Sequence, residues 1–267
     1  LATDIGRQNL DAFVASGFDV IQGRPNGLTT RKLTRLAFEH MGDPFQPFIF
    51  GQTNLPLQMA VKYKIPLIFY GEDGELAYGG EVIKERATRR IEDHGRQYFS
   101  GKPPELWTQH GVTSAELKPF EAPIYEDARK CEIHFMSYYW NWTPQENYYY
   151  CSEHTGFSPA PARTIGTYSR YASVDDELDF LHYFMGFIKF GIGRATSDAA
   201  HEIRDGHIDR QEGISLVKRF DGEWSDEHWF KALDYMGLTD TEGRKIIQKW
   251  KSPEIWDGDK LRTAVWM

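Results

Sequence analysis

The chain has 267 residues, 40% hydrophobic and 26% charged, with a formal net charge of −8 at neutral pH. That length supports one large core or two modest ones, and the acid excess excludes a general nucleic-acid binder, which needs a basic face. No apolar run approaches bilayer-spanning length, the opening LATDIGRQNL lacks the basic end and apolar stretch of a signal peptide, and two cysteines point to a reducing compartment.

The first elements alternate. Leu10, Phe13 and Val14 recur at helical spacing and Gly17 closes that helix. Asp19 to Gln22 reads as a short buried strand, and Arg24 to Gly27 as a loop. A second helix is predicted with Thr30 as its cap and Leu33, Leu36, Ala37 and His40 on one stripe. Gly42, Asp43 and Pro44 break it. Residues 45–64 are ambiguous, because Pro56 interrupts a helical pattern. Lys64 to Tyr70 is the clearest strand, apolar on both faces as in a parallel sheet covered by helices.

Lys84, Arg86, Arg89 and Arg90 share a predicted helix, read as a solvated face because Glu85, Glu92 and Asp93 neutralise it. Glu132 to Tyr139 is a further predicted strand, and Thr143-Pro144 starts a short helix. From residue 156 the pattern is helical. Ser173 is placed as cap of a helix carrying Leu178, Leu181, Phe184, Met185 and Ile188, and Asp209 with Glu212 and Thr239 with Glu242 have capping-box spacing. Aromatic residues reach 15%, with eight Trp; packing in a core is preferred over a sugar- or base-stacking pocket.

Two stretches could carry chemistry. Gly71-Glu72-Asp73-Gly74-Glu75 follows the 64–70 strand, where ligands of open α/β sheets sit. Its carboxylates suit Mg²⁺ holding ATP phosphates, and its glycines admit close backbone approach; the alternative is an acidic turn. Lys189-Phe190-Gly191-Ile192-Gly193-Arg194 joins two predicted helices. Free N–H groups at the second helix's start, with Lys189 and Arg194 beside them, make an anion seat; the alternative is a tight helix–helix turn. Cys131-x-x-His134 and Cys151-x-x-His154 have zinc-like spacing, but residues three apart on a strand face opposite ways, so zinc is discounted there.

The stretches PLIFYGEDGELAYGG, RTIGTYSRYASVDDELDFLHYF and IKFGIGRATSDAAHEIRDGHIDRQEG resemble the N-acetyl sugar amidotransferases of bacterial surface-glycan biosynthesis, relatives of the PP-loop ATP pyrophosphatases. The resemblance implies an α/β fold, an open, mostly parallel sheet of adenine-nucleotide α-hydrolase type over 1–155, truncated at its N-terminus, then a helical region over 156–267. It also implies a cytoplasmic enzyme that adenylates a sugar's N-acetyl oxygen with ATP and lets ammonia displace AMP. A nucleotide-linked sugar is the implied substrate, a glutaminase subunit the implied ammonia source, and homo-oligomer formation is left open. Gly71, Glu72 and Asp73 would hold Mg-ATP, Gly191 and Gly193 the phosphates, and Lys189 and Arg194 would act on the reacting charge. The family's SGGxDS loop and the cysteines expected to bind zinc are absent and expected upstream, which leaves an incomplete ATP site. A non-catalytic sugar-nucleotide-binding fragment is the alternative, and a carbohydrate hydrolase a third reading.

Overall fold

The computed structural model describes residues 1–71, 88–89, 91–93, 99–262 and 264. Helix α1 (Asp4–Ala15) starts at Thr3, whose Oγ1 accepts from the Gly6 N–H at 2.9 Å. The strand expected over 19–22 does not form. No described strand pairs with it, and Phe18 and Ile21 stand 69% and 53% exposed; an isolated extended segment has no partner for its backbone groups other than water. Helix α2 (Gly27–Met41) starts earlier than expected. Asn26, not Thr30, caps it: the Asn26 Oδ1 accepts from the N–H groups of Leu28 and Thr29.

The chain divides into two units. A sheet unit comprises Gln22–Ala37 and Phe45–Trp142, and a helical unit comprises Leu1–Ile21, Phe38–Pro44 and Thr143–Met267.

In the sheet unit, helix α3 (Gln46–Tyr63) runs straight through Pro56. Proline lacks the N–H that would satisfy the carbonyl four residues back. That carbonyl belongs to Gln52, and the Tyr70 hydroxyl donates to it at 2.7 Å. The donor comes from strand β1 (Leu67–Tyr70), so the proline that made 45–64 ambiguous becomes the point where helix and strand are tied. Lys64 ends α3 in the left-handed region at φ +58°.

Strand β2 (Thr88–Arg89), the short helices α4 (Ser114–Leu117) and α5 (Tyr125–Ala128), and strand β3 (Glu132–Phe135) complete the unit. The order is β1-β3-β2; β1 runs parallel to β3 with Leu67 opposite Glu132 and Tyr70 opposite Phe135, and β2 is antiparallel. Thr88 and Arg89 thus lie in a strand, not in the predicted basic helix, whose Lys84, Arg86 and Arg90 fall outside the described residues. Ile68, Tyr70 and Ile133 pack with Leu57 of α3 and Ala128. On the other face Leu67 and Phe69 are exposed, so β1 is not buried on both faces as expected. Among the described residues the sheet is small and mixed, with one parallel pair; a larger open parallel sheet is not formed by them.

The helical unit carries α6 (Pro144–His154), α7 (Asp179–Phe190), α8 (Arg194–Arg204), α9 (Arg210–Phe220), α10 (Asp226–Met236) and α11 (Asp240–Trp250), then the hairpin of β4 (Trp256–Asp257) and β5 (Lys260–Leu261). The helical C-terminal region is as expected. Both predicted capping boxes form, Asp209 with Glu212 and Thr239 with Glu242. Ser173 caps nothing: α7 begins six residues later, after Leu178. The core centres on fully buried Trp229, whose Nε1 donates to Asp240 at 2.8 Å and whose ring meets Phe38 edge-on. No helix among the described residues is long and apolar enough to cross a membrane.

Gly243 lies directly under that indole. A Cβ there would stand 2.5 Å from Trp229 Cη2 and 2.7 Å from Leu233 Cδ2. Gly→Ala inside a helix ordinarily stabilises by roughly 0.5–1 kcal/mol. Gly243→Ala is expected to reverse that sign and cost about 1–3 kcal/mol through overpacking, read as a lower urea midpoint with unchanged slope.

Candidate functional site

The turn between α7 and α8 is built from its glycines outward. Gly191 ends α7 at φ +71°, its N–H bonded to the Phe187 carbonyl at 2.8 Å. A side chain there would press on Ile255. Gly193 is the residue before α8, in extended conformation. Its N–H donates to Asp221 Oδ2 at 3.0 Å, the Thr196 N–H donates to Asp221 Oδ1 at 3.1 Å, and the Thr196 hydroxyl also bonds that carboxylate. A Cβ on Gly193 would fall 2.6 Å from Asp221 Oδ1. The start of α8 is thus occupied by a side chain of the protein itself, Asp221 from the end of α9.

Burial pushes the Asp221 carboxyl above its ordinary range, against the hydrogen bonds from Thr196, Gly193 and Ala195 that favour the charged form. Positive partial charge at the helix N-terminus favours an anion in that place.

Arg194 follows at once. Its Nε lies 2.9 Å from Asp198 Oδ1, its Nη1 donates to the Tyr183 hydroxyl, and its guanidinium stacks 4.5 Å from the centre of that ring. The Asp198 carboxylate also accepts from the Thr167 hydroxyl at 2.5 Å. Lys189 points the other way round the turn. Its Nζ donates to the Met41 carbonyl at 3.0 Å, at the end of α2, and lies near the rings of Phe190 and Trp250. Lys189 therefore neutralises a helix C-terminus, and Arg194 is held by a carboxylate and a phenol.

The loop before α7 adds a second layer. Arg163 grips Glu223 with both terminal nitrogens, at 2.7 and 2.5 Å, and the Gly166 N–H donates to the same carboxylate at 2.8 Å. This pairing holds Glu223 below the usual carboxylate range. Burial, reinforced by Asp198 and Glu202, raises the phenols of Tyr168 and Tyr171, so both stay protonated near neutrality. Tyr171 stacks on Tyr148 at 4.7 Å between ring centres. On α7, burial pushes the Asp179 carboxyl up to about 6. For His182 burial opposes the charged ring, but Asp43, 2.8 Å from Nδ1, outweighs it, and the net shift is upward.

Of the residues singled out by sequence, Gly191, Gly193, Lys189 and Arg194 belong to the helical unit. Gly71 belongs to the sheet unit, exposed at the end of β1. Glu72 and Asp73 lie outside the described residues. Cys131 and His134 diverge as strand geometry requires: Cys131 packs with the Leu57 cluster, while His134 meets Tyr139 and Glu132. Among the described residues no group of three or more His, Cys, Asp or Glu is placed to hold a metal. Asp221, Asp198, Tyr183 and the Arg163–Glu223 pair escaped the sequence reading. Arg163 with Glu223, and Asp221 with Gly193, are joined by folding alone, and no spacing rule links such distant positions.

Residues 165–267 match the family described as LPS biosynthesis protein WbpG-like, C-terminal domain. No curated protein matches the chain. The matched segment contains the α7–α8 turn, Asp198 and Asp221.

The raised Asp179 carboxyl carries a stability consequence. It binds its proton more tightly in the folded state than in the unfolded one, so its contribution falls as pH rises from the ordinary carboxyl range through about 6. Asp179→Asn removes that titration. Relative to wild type, the variant is expected to gain on the order of 2 kcal/mol at about pH 7.5 and little at about pH 4, measured by urea unfolding at both values.

Proposed function

We propose, from the match of residues 165–267 to the C-terminal domain of WbpG-like lipopolysaccharide biosynthesis proteins, that this chain takes part in building a bacterial surface glycan. Its specific reaction, on this reading, is the ATP-dependent conversion of the N-acetyl group of a nucleotide-linked sugar to an acetamidino group. The match is the observation that carries the reading, because it covers the KFGIGRAT turn on which the resemblance to N-acetyl sugar amidotransferases chiefly rests. Ammonia would come from a partner glutaminase.

The chemistry needs activation first. An amide carbon is a poor electrophile and its oxygen a poor leaving group, so ATP supplies an adenylate that leaves as AMP. Glu72 and Asp73, following β1, would hold Mg²⁺, which neutralises triphosphate charge when bound. Gly71 leaves room for the close approach of phosphate to backbone.

The described geometry revises the roles proposed for the turn. Asp221 already fills the start of α8, so Gly191 and Gly193 serve the turn itself. Arg194, oriented by Asp198 and Tyr183, remains the cation proposed to face developing negative charge. Lys189, bonded to the Met41 carbonyl, is assigned to holding α7 against the end of α2. A second reading, sugar-nucleotide binding without turnover, draws on the same filled seat: the phosphate site expected there is taken by a side chain.

The test uses protein made from its full coding sequence, ATP, Mg²⁺, ammonium chloride and a panel of UDP-linked N-acetylhexosamines. Pyrophosphate release that depends on the sugar is expected, and Asp73→Ala is expected to lower it about 10²-fold or more. Sugar binding by calorimetry with no pyrophosphate release would favour the second reading; neither binding nor release would sink both.

A further inference from the structure

Strand β3 carries a group of side chains that the reading above does not use. Glu132 and His134 are two residues apart on the strand and so lie on the same face of the sheet. The chain then makes a 3-10 turn over Met136–Tyr138, closed by the Tyr139 N–H bonding the Met136 carbonyl at 2.9 Å. That turn brings Tyr139 back over the strand. Its hydroxyl lies 2.5 Å from His134 Nδ1, and His134 Nε2 lies 3.2 Å from Glu132 Oε2.

The direction of these bonds follows from which ring nitrogen carries the proton. A carboxylate can only accept, so in the neutral ring the tautomer that satisfies both contacts has Nε2 donating to Glu132 and Nδ1 accepting from the phenol. The order Glu–His–Tyr is that of an oriented imidazole drawing a proton from a hydroxyl. Phe69 on β1 holds the arrangement, its ring meeting both His134 and Tyr139 with centres 5.6 and 5.8 Å apart. The His134 side chain is only 12% exposed, whereas Tyr139 is 53% exposed. The imidazole is thus enclosed and the phenol reachable, which is the order a relay requires.

Location gives the group its meaning. β1 and β3 are the parallel pair of this sheet, and ligands of such sheets sit beyond the strands' carboxyl ends. His134 is one residue before the end of β3, and Gly71 follows β1, where an added Cβ would touch Trp142 at 4.0 Å. Tyr138 and Trp140 stand exposed beside Tyr139.

We propose that Tyr139, His134 and Glu132 form a proton relay, in which Tyr139 is the catalytic residue that deprotonates the attacking ammonia and the other two position and charge-balance it. The assignment rests on the amidotransferase reading. In the step, the ammonia nitrogen's lone pair forms a bond to the carbon that bears the adenylated oxygen while the carbon–nitrogen π pair moves onto the sugar's amide nitrogen, leaving an ammonium substituent. One of its protons passes to the Tyr139 oxygen as the phenolic proton moves to His134 Nδ1. Glu132 stabilises the imidazolium. The amide nitrogen's lone pair then re-forms the carbon–nitrogen double bond as the carbon–oxygen bond breaks, AMP leaves with the carbon–oxygen electron pair, and the amidinium product forms; the imidazolium releases its proton to solvent. Adenylation itself, attack of the amide oxygen on the α-phosphate, needs no proton acceptor of this kind.

That difference separates the outcomes. Tyr139→Phe removes one oxygen and leaves the ring packing against Phe69. With the full-length protein, ATP, Mg²⁺, ammonium chloride and the UDP-N-acetylhexosamine panel, the variant is expected to keep sugar-dependent exchange of labelled pyrophosphate into ATP. It is expected to lose about 10²-fold or more in amidine formation followed by mass spectrometry. His134→Ala is expected to lose the same step and to recover part of it with added imidazole, a rescue that Tyr139→Phe should not show. Amidine formation by Tyr139→Phe at the wild-type rate overturns the relay and leaves the amidotransferase reading intact. Parallel loss of exchange and amidine formation also overturns it, by making Tyr139 a structural or binding group. Wild-type protein without any sugar-dependent exchange would overturn the amidotransferase reading and the relay together.

Discussion

The carboxylate of Asp221 at the start of α8 is the constraint on which the helical unit's organisation depends. The first turn of any helix leaves N–H groups without intrahelical partners, and here a side chain from the end of α9 supplies what they need. Three contacts from one carboxylate bind Gly193 and Thr196 to the residue that closes α9. Burial of the same group disfavours its charge by more than these hydrogen bonds favour it, as its raised proton affinity shows. The close approach is open only to glycine at position 193, since a Cβ would meet the carboxylate oxygen. Fixing the turn fixes Arg194, whose guanidinium then has Asp198 on one side and Tyr183 on the other.

Charge in this region is arranged as a chain of satisfied pairs. Arg163 with Glu223, Arg194 with Asp198 and Lys189 with a helix-end carbonyl each place a cation against an acceptor, and Asp43 favours the charged form of His182. Partly buried ions need such partners, because an unpaired one costs several kcal/mol. Asp179 is handled differently: its carboxyl is raised instead, and its charge is what folding disfavours near neutrality. These contacts hold the Arg194 guanidinium in one orientation, between Asp198 and Tyr183.

The sheet unit solves a separate problem. Pro56 opens a gap in the hydrogen bonding of α3, and Tyr70 closes it from β1. This bond and the packing of Ile68, Tyr70 and Ile133 on Leu57 commit one face of the sheet to the helix. The opposite face carries Phe69, His134 and Tyr139, and there the chain displays acid–base groups instead of core. The alternation along β3, with Ile133 and Phe135 buried and Glu132 exposed, is the strand's two-residue period put to two uses.

Local pattern determined much of this protein. The helical C-terminal region, both capping boxes, the strand ending at Tyr70 and the helix–helix turn before Arg194 were readable because each depends on residues within a few positions of one another. The divergence of Cys131 from His134 was readable for the same reason. Tertiary structure decided what local pattern leaves open: that 19–22 finds no strand partner, that Asn26 takes the cap from Thr30, that α3 survives its proline, and that Thr88 and Arg89 join a sheet. It also decided what fills the seat at Gly193. Sequence spacing can mark where free N–H groups will be, but Asp221 lies two helices further along the chain, and only the packing of α9 on α8 brings it within hydrogen-bond reach.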